Sequence, residues 1–205
     1  MTVLESAIKY HELGFCVIKV HHRSKQAAVK WEDYYRLRKP RPTIEEIKSS
    51  LTNSDLNFAV IHGKASESFE IDIDGEGGKK YFEQVFPSFS PNLQSAIKNT
   101  MRVVSPNGLK IIFKFRIDEW PEGINTIKEL WKGEGKHNGI QLLGNRSYSL
   151  GVGSVHPDGK VYSLAQGSDF NPLTLTKPEI EELVDIIFGE KYFASGRFKN
   201  HYGCK

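Results

Sequence analysis

Cysteine is nearly absent from this chain: Cys16 and Cys204 are the only two in 205 residues. Two cysteines so far apart make neither a disulfide framework nor a zinc site, so a reducing, cytoplasmic setting is the expectation. Long apolar runs are missing as well. No stretch approaches the roughly 20 apolar residues that cross a bilayer, so no membrane partner is expected. The opening MTVLESAIKY lacks the basic-then-apolar order of a signal peptide. No internal repeat appears, which excludes solenoids and propellers. With 39% hydrophobic and 26% charged residues, the chain reads as an ordinary globular protein with a core of its own.

A strong charge of either sign is also lacking, since the net charge is only +3, but the charges are unevenly spread. Lys19, Arg23, Lys25, Lys30, Arg36, Arg38, Lys39 and Arg41 stand against only Glu32 and Asp33, with Trp31, Tyr34 and Tyr35 between them. Cations suit phosphates and aromatic rings suit base stacking, which makes Lys25, Lys30, Trp31, Arg36 and Arg38 candidate nucleic-acid contacts. The plainer alternative is a solvated loop with partly buried aromatics.

Apolar periodicity predicts a first helix through Leu4, Ala7 and Ile8, ended by Gly14, and a buried strand at Phe15–Val20. Thr43 and Glu46 have capping-box spacing before a helix through Ile44, Ile47 and Leu51. Asn57–Ile61 and Phe69–Ile73 read as strands joined by a turn at 63–66. Lys79–Val85 and a stretch from Ser90-Pro91 to Ile97 read as helices. Arg102–Val104 and Leu109–Ile117 form a hairpin around Ser105-Pro106-Asn107-Gly108. Ile124–Trp131 is read as a helix and Gly133–Gly139 as a mobile loop. Ile140–Leu143, Ser147–Val152 and Val161–Leu164 are read as strands, and a helix capped by Thr176 and Glu179 runs to Phe188. The expected organisation is one α+β domain over 1–189, followed by a tail or the start of a further region over 190–205.

Three segments carry chemistry. In Phe69-Glu70-Ile71-Asp72-Ile73-Asp74-Gly75, residues two apart on a strand share a face. Asp72 and Asp74 then lie about 7 Å apart along the backbone, and Ile71 and Ile73 face a core. Paired carboxylates offer hard oxygen ligands to divalent cations. A lone acid-x-acid pair is common, however, and also occurs in metal-dependent glycosyltransferases. In Val104–Phe113, a tight turn leads to Lys110, an isolated cation placed to meet a nucleotide's phosphates, and Ser105, Asn107 and Gly108 bring backbone and side-chain groups nearby. A plain hairpin with Lys110 and Lys114 on its wet side is the alternative. In Gly139–Tyr162, Gly151 and Gly153 suggest close backbone approach, and Ser154 and His156 share a face if the strand continues. Alternatively, His156 is a loop histidine bonded to backbone.

In their order and spacing these segments resemble the primase-polymerase family of the archaeo-eukaryotic primase superfamily, over about Leu4 to Tyr162. Ile71-Asp72-Ile73-Asp74 is similar to that family's metal-binding acid pair. Ser105–Phe113 is similar to its turn-and-strand motif, and Gly139–Ser154 to the motif carrying a third metal-binding acid. The resemblance implies a bilobed primase-like fold, an α/β lobe plus an RNA-recognition-like β lobe, with the active site between them. It implies Mg²⁺ or Mn²⁺ at Asp72 and Asp74, and nucleotidyl transfer from a (d)NTP on a DNA template or primer. Lys110, Ser105, Asn107, Gly108, Ser154 and His156 would lie near the nucleotide. A helicase domain or other primase subunits are the further partners it implies. Two positions depart from the pattern: Lys110 stands where the family has histidine, and Gln141 where it has the third acid. Glu70, Glu76, Glu134 and Asp158 are candidate replacements. The departures leave a second reading open, a non-catalytic nucleotide- or nucleic-acid-binding primase subunit. A sugar transferase fits less well, because it would want longer parallel βα repeats.

Overall fold

The computed structural model describes residues 1–52, 55–121, 128–135 and 137–189. The N-terminal part builds a small layer. Helix α1 (Val3–Glu12) leads to β1 (Cys16–Val20), then come a single helical turn α2 (Glu32–Tyr35), helix α3 (Ile44–Leu51) and β2 (Asn57–Ile61). Glu46 N–H donates to Thr43 Oγ1 at 3.2 Å, and Thr43 N–H donates to Glu46 Oε2 at 2.8 Å, so the expected capping box starts α3. Gly14, in the left-handed region at φ +80°, turns the chain out of α1. β1 and β2 pair antiparallel, and β8 (Tyr148–Leu150) pairs with the free edge of β2 from far along the chain.

The larger layer is a second sheet. Its strands are β3 (Ser68–Asp74), β4 (Met101–Val104), β5 (Gly108–Phe115), β6 (Lys128–Lys132), β7 (Gly139–Leu143) and the two-residue β9 (Ser163–Leu164). They lie in the order β6-β7-β3-β5-β4-β9, all antiparallel, and β10 (Thr174–Leu175) runs parallel beside the end of β5. Helices α4 (Gly75–Val85), α5 (Pro91–Asn99) and α6 (Lys177–Phe188) complete the fold. Two sheets with helices on their outer sides make the mixed α+β architecture expected of a primase-like chain.

Strand alternation divides the core into two. Phe69, Ile71 and Ile73 of β3, with Ile111, Phe113 and Phe115 of β5, pack on Phe82, Leu93, Ile180, Leu183 and Val184 of the three helices. The opposite face of the same sheet sends Met101, Val103 and Ile112 into a separate core with Tyr10, Phe15, Phe58 and Ile61 of the small layer. Lys110 and Lys114 alternate with Ile111 and Phe113, so they face this seam between layers and not open water.

Two expectations change. Lys128–Lys132 forms a strand where Ile124–Trp131 was expected to be helical, and 122–127 lie outside the described residues. Leu130 is buried in the helical core while Glu129 faces the other way, the two-residue alternation of a strand edge. The strand expected over Ser147–Val152 ends at Leu150, so Ser154 and His156 sit in the turns that follow. Gly151 there leaves no room for a side chain, since a Cβ would lie 2.3 Å from the Phe58 ring. The tail expected at 190–205 lies outside the described residues.

Gly108 faces Asp74 across the β3–β5 ladder, and a Cβ on it would fall 1.7 Å from the Ile73 carbonyl oxygen. Gly108→Ala is therefore expected to destabilise the fold by about 1–3 kcal/mol, read as a lower urea midpoint at unchanged m. An unmoved midpoint would mean the two strands do not approach this closely.

Candidate active site

Directly paired residues in a sheet point to the same side. Glu129, Gln141, Asp72, Lys110 and Val103 are cross-strand partners in turn, so one row crosses β6, β7, β3, β5 and β4. Along β3, alternation adds Glu70 and Asp74 on either side of Asp72. Three carboxylates thus share one face of one strand, while Ile71 and Ile73 are buried behind it.

Glu70 is the innermost, with no exposed surface. Lys110 Nζ donates to its Oε1 at 2.5 Å, and the Ser149 hydroxyl donates to its Oε2 at 2.6 Å. His62 Nε2 lies 3.5 Å from Oε2 and 3.0 Å from Ser149 Oγ, while His62 Nδ1 contacts Ser68 Oγ at 3.2 Å. Because Ser149 gives its proton to Glu70, its oxygen accepts from His62 Nε2–H. Burial alone would push the Glu70 carboxyl up, but the Lys110 ammonium and His62 outweigh it and hold Glu70 down at about 2. Burial likewise opposes the charge on Lys110, and the Asp72 and Glu70 carboxylates more than reverse it, so Lys110 stays an ammonium.

Asp72 occupies the next position, with 17% of its side chain exposed. Its Oδ2 is 3.5 Å from Lys110 Nζ, and its Oδ1 is buried without a hydrogen-bond partner. Burial pushes its carboxyl up to about 6, with the Glu70 and Asp74 anions adding to the effect and Lys110 and Lys25 opposing it. Asp74 is flanked in register by Gly108 and Gly139, which carry no side chains to cover it. It is the residue before α4 and makes no capping bond. Asn138 Oδ1 accepts from Gly77 N–H at 2.9 Å instead, which leaves the Asp74 carboxylate uncommitted to the helix. Asp74 opens onto a cavity of about 360 Å³ shared with Gln141, Glu129, His137 and Asn138.

The donor set fits a divalent cation in part. Two carboxylates of one strand face, one with an orphaned buried oxygen, are hard ligands in want of a positive partner. Among the described residues no three His, Cys, Asp or Glu side chains gather into a metal-holding cluster. Gln141, directly beside Asp72, contributes at most a neutral carbonyl. Of the replacement acids expected, Glu70 is consumed by the buried network and Glu76 pairs with Lys79 at 2.8 Å. Asp158 pairs with His156 at 2.9 Å in a turn, and Glu134 is exposed in the loop before β7. Glu129 is the acid that faces Gln141, and it was missed because its segment was read as a helix. It stands two strands from Asp72, about 10 Å at the usual strand spacing.

The other expected site residues are distributed around the seam. Ser105 O accepts from Gly108 N–H at 3.3 Å, and Gly75 N–H donates to Asn107 O at 2.8 Å, so the turn's backbone groups close on themselves and on the start of α4. Ser105 Oγ is buried without a partner. Ser154 Oγ donates to Phe58 O at 2.9 Å and accepts from Phe58 N–H at 3.3 Å, which pins the chain after β8 to β2. Lys25 is exposed yet near enough for its charge to act on Asp72. Trp31 packs on Tyr35 and Tyr148 at 5.0 and 4.9 Å between ring centroids, and Arg36 lies over Tyr35. Lys30 is exposed, and Arg38 lines a different cavity from Asp74. His62 and Ser149 went unnoticed in the sequence. The available signal was a histidine closing the apolar run Phe58–Ile61, a polar group that a buried strand end must satisfy.

The fold is a two-layer α+β architecture with paired acids on an inner strand of its larger sheet, and sequence comparison assigns the family. The profile of the bifunctional DNA primase/polymerase N-terminal family matches residues 7–180, and the chain belongs to that family. Comparison with curated proteins gives no match. Membership supports a primase or polymerase type of role, with DNA and nucleotides as the substrates of such domains. No helix among the described residues is long and apolar enough to cross a membrane.

Removing Glu70 strands the Lys110 charge in the seam. Glu70→Ala is expected to cost about 3–5 kcal/mol in denaturant unfolding, and the double variant Glu70→Gln/Lys110→Met less than the sum of its singles. The Glu70 carboxyl is depressed in the fold, so its contribution is complete above the unfolded carboxyl value of about 4.3 and is lost as pH falls toward 2. Stability of Glu70→Gln should therefore fall less steeply than wild type over that window. Parallel acid profiles would mean that Glu70 is not held as a buried anion.

Proposed function

We propose that the chain is a metal-dependent nucleotidyl-transfer domain that extends or initiates a strand on a DNA template from (d)NTPs, with Asp72 and Asp74 as its metal-holding pair. The observation that carries this reading is the orphaned, buried Asp72 Oδ1 next to an Asp74 that neither capping nor neighbouring side chains occupy. Mg²⁺ or Mn²⁺, when bound, supplies the charge that neutralises the triphosphate and eases loss of the hydroxyl proton. The chain's own residues divide the remaining work. Lys110, anchored by Glu70, fixes the rotamer of Asp72 and offsets one of its neighbouring negative charges. The backbone turn at 105–108, closed on α4, sets the position of Asp74. Lys25 is an exposed cation near enough for its charge to act on Asp72.

A second reading has its own support. Lys110 already satisfies one oxygen of Asp72, and Gln141 withholds a negative charge from the pair. Both weaken cation binding, which favours a nucleotide- or nucleic-acid-binding subunit without turnover.

Primer extension with labelled dNTP and Mn²⁺ separates the two. On the catalytic reading, Asp72→Asn/Asp74→Asn lowers the extension rate by about two to three orders of magnitude and removes Mn²⁺ binding seen by electron paramagnetic resonance, at an unchanged melting temperature. Gln141→Asp is expected to tighten Mn²⁺ binding. Extension retained in the Asp72/Asp74 double variant ends the catalytic reading. Template or nucleotide binding without extension, in wild type and Gln141→Asp alike, establishes the second.

A further inference from the structure

The seam between the layers has a second end. Asp74 lies opposite Gly108 at one end of the β3–β5 ladder, and Ser68 lies opposite Lys114 at the other, about 20 Å away along the strand. At the Lys114 end is a cavity of about 820 Å³, within the usual range for ligand pockets of about 300–1,000 Å³. Its wall carries Arg38, Lys39, Arg41, Lys64, Lys114 and Arg116 from three separate stretches of chain, against one carboxylate among the described lining residues, that of Glu67. Arg116 has a partner outside the pocket, Asp118 at 3.4 Å.

Two of these cations are built into the fold. The Lys114 ammonium donates to Ser66 O at 2.6 Å and lies 4.0 Å from the centroid of the buried Phe15 ring. The Arg41 guanidinium donates to Gly14 O. A Cβ placed on Gly14 would be 3.1 Å from Arg41 Nη1 and 3.7 Å from Lys114 Nζ, so the two like charges are within 6.8 Å of each other. Burial, with the Arg41 charge adding to it, pushes the Lys114 ammonium down to about 8. Neither cation has a carboxylate in salt-bridge contact among the described residues, unlike Lys110 at the acidic end. Two converging cations, Lys114 partly buried and Arg41 exposed, with no carboxylate in contact, are a site for an anion, and the apolar parts of the wall, Leu13, Leu37 and Phe115, leave room for an uncharged portion of the same molecule.

We propose that this pocket binds a phosphate-rich anion of mononucleotide size, gripped by Arg41 and Lys114 with Arg38 and Lys39 at its rim, at a site separate from Asp72 and Asp74. Two sources share that chemistry: the polyphosphate of a free nucleotide, and successive phosphates of a single strand. The proposal does not require the catalytic reading.

The test is calorimetry on the full chain carrying Asp72→Asn/Asp74→Asn, in EDTA and low salt, which silences the acidic end. The probes are inorganic tripolyphosphate, ATP, and a single-stranded oligonucleotide without terminal phosphates. Tripolyphosphate is expected to bind and to be lost progressively with added NaCl. Lys114→Met and the rim pair Arg38→Gln/Lys39→Gln should each weaken it about tenfold, and the exposed rim pair should do so without changing the melting temperature. Displacement of tripolyphosphate by the oligonucleotide assigns the pocket to a strand's phosphates, and displacement by ATP alone assigns it to a free nucleotide. Absence of binding by every probe, or equal affinity in both pocket variants, overturns the proposal. Loss of primer extension in the acidic-pair variant with polyphosphate binding intact would bear only on the catalytic site.

Discussion

The buried ion pair between Glu70 and Lys110 is the constraint on which the rest of the site depends. A carboxylate with no exposed surface survives in a protein interior when both oxygens find donors and a cation balances its charge, and here the donors come from β5 and β8. The contact therefore does more than hold one side chain. It ties the large sheet to the small one through Ser149 and His62, and it fixes which carboxylate of the β3 face receives the one lysine in the row. Glu70 takes that lysine at 2.5 Å and Asp72 shares it at 3.5 Å. Asp74 receives nothing from it. Negative charge without a full complement of partners thus increases along β3 toward Asp74.

The two departures from the family pattern act in the same direction. Relative to a neutral histidine, Lys110 adds a positive charge beside Asp72. Relative to a carboxylate, Gln141 removes a negative one. Each makes the pair a poorer cation ligand, and both fall on direct cross-strand neighbours of Asp72. Glu70, deeper on the same face, partly compensates by drawing the lysine inward. The seam as a whole is polarised, with carboxylates at the Asp74 end and clustered cations at the Lys114 end. A ligand bearing several phosphates meets opposite environments at the two ends of one ladder.

Much of this was legible in the sequence. The alternation Phe69-Glu70-Ile71-Asp72-Ile73-Asp74 put both aspartates on one face and both isoleucines in a core, because a strand has a period of two and one buried side. The hairpin at Ser105–Gly108 and the α3 capping box were equally local and were found where expected. What the sequence hid was long-range. Lys110 reads as a phosphate contact or a wet-side hairpin lysine, since nothing within several residues shows that Glu70 and Ser149 of β8 will meet on that face. Glu129 was lost because a five-residue strand with a bulge next to Trp131 carries too little periodicity to compete with a helical reading. The basic stretch at 19–41 looked like one surface. In the fold Lys25 lies near Asp72, while Arg38 and Arg41 meet Lys64 and Lys114 at the other end of the seam. No pattern within the stretch announces that division.

In the proposed catalytic role Asp72 and Asp74 hold a cation together while Lys110 remains bound to Glu70. Anomalous diffraction from crystals soaked in Mn²⁺ and a non-hydrolysable dNTP tests it most directly. A manganese peak is expected about 2.0–2.4 Å from carboxylate oxygens of both aspartates, with Asp72 Oδ1 among them and the Lys110 ammonium still against Glu70. A manganese ion bound elsewhere, or an Asp72 that keeps its lysine and takes no metal while the nucleotide sits in place, would contradict it.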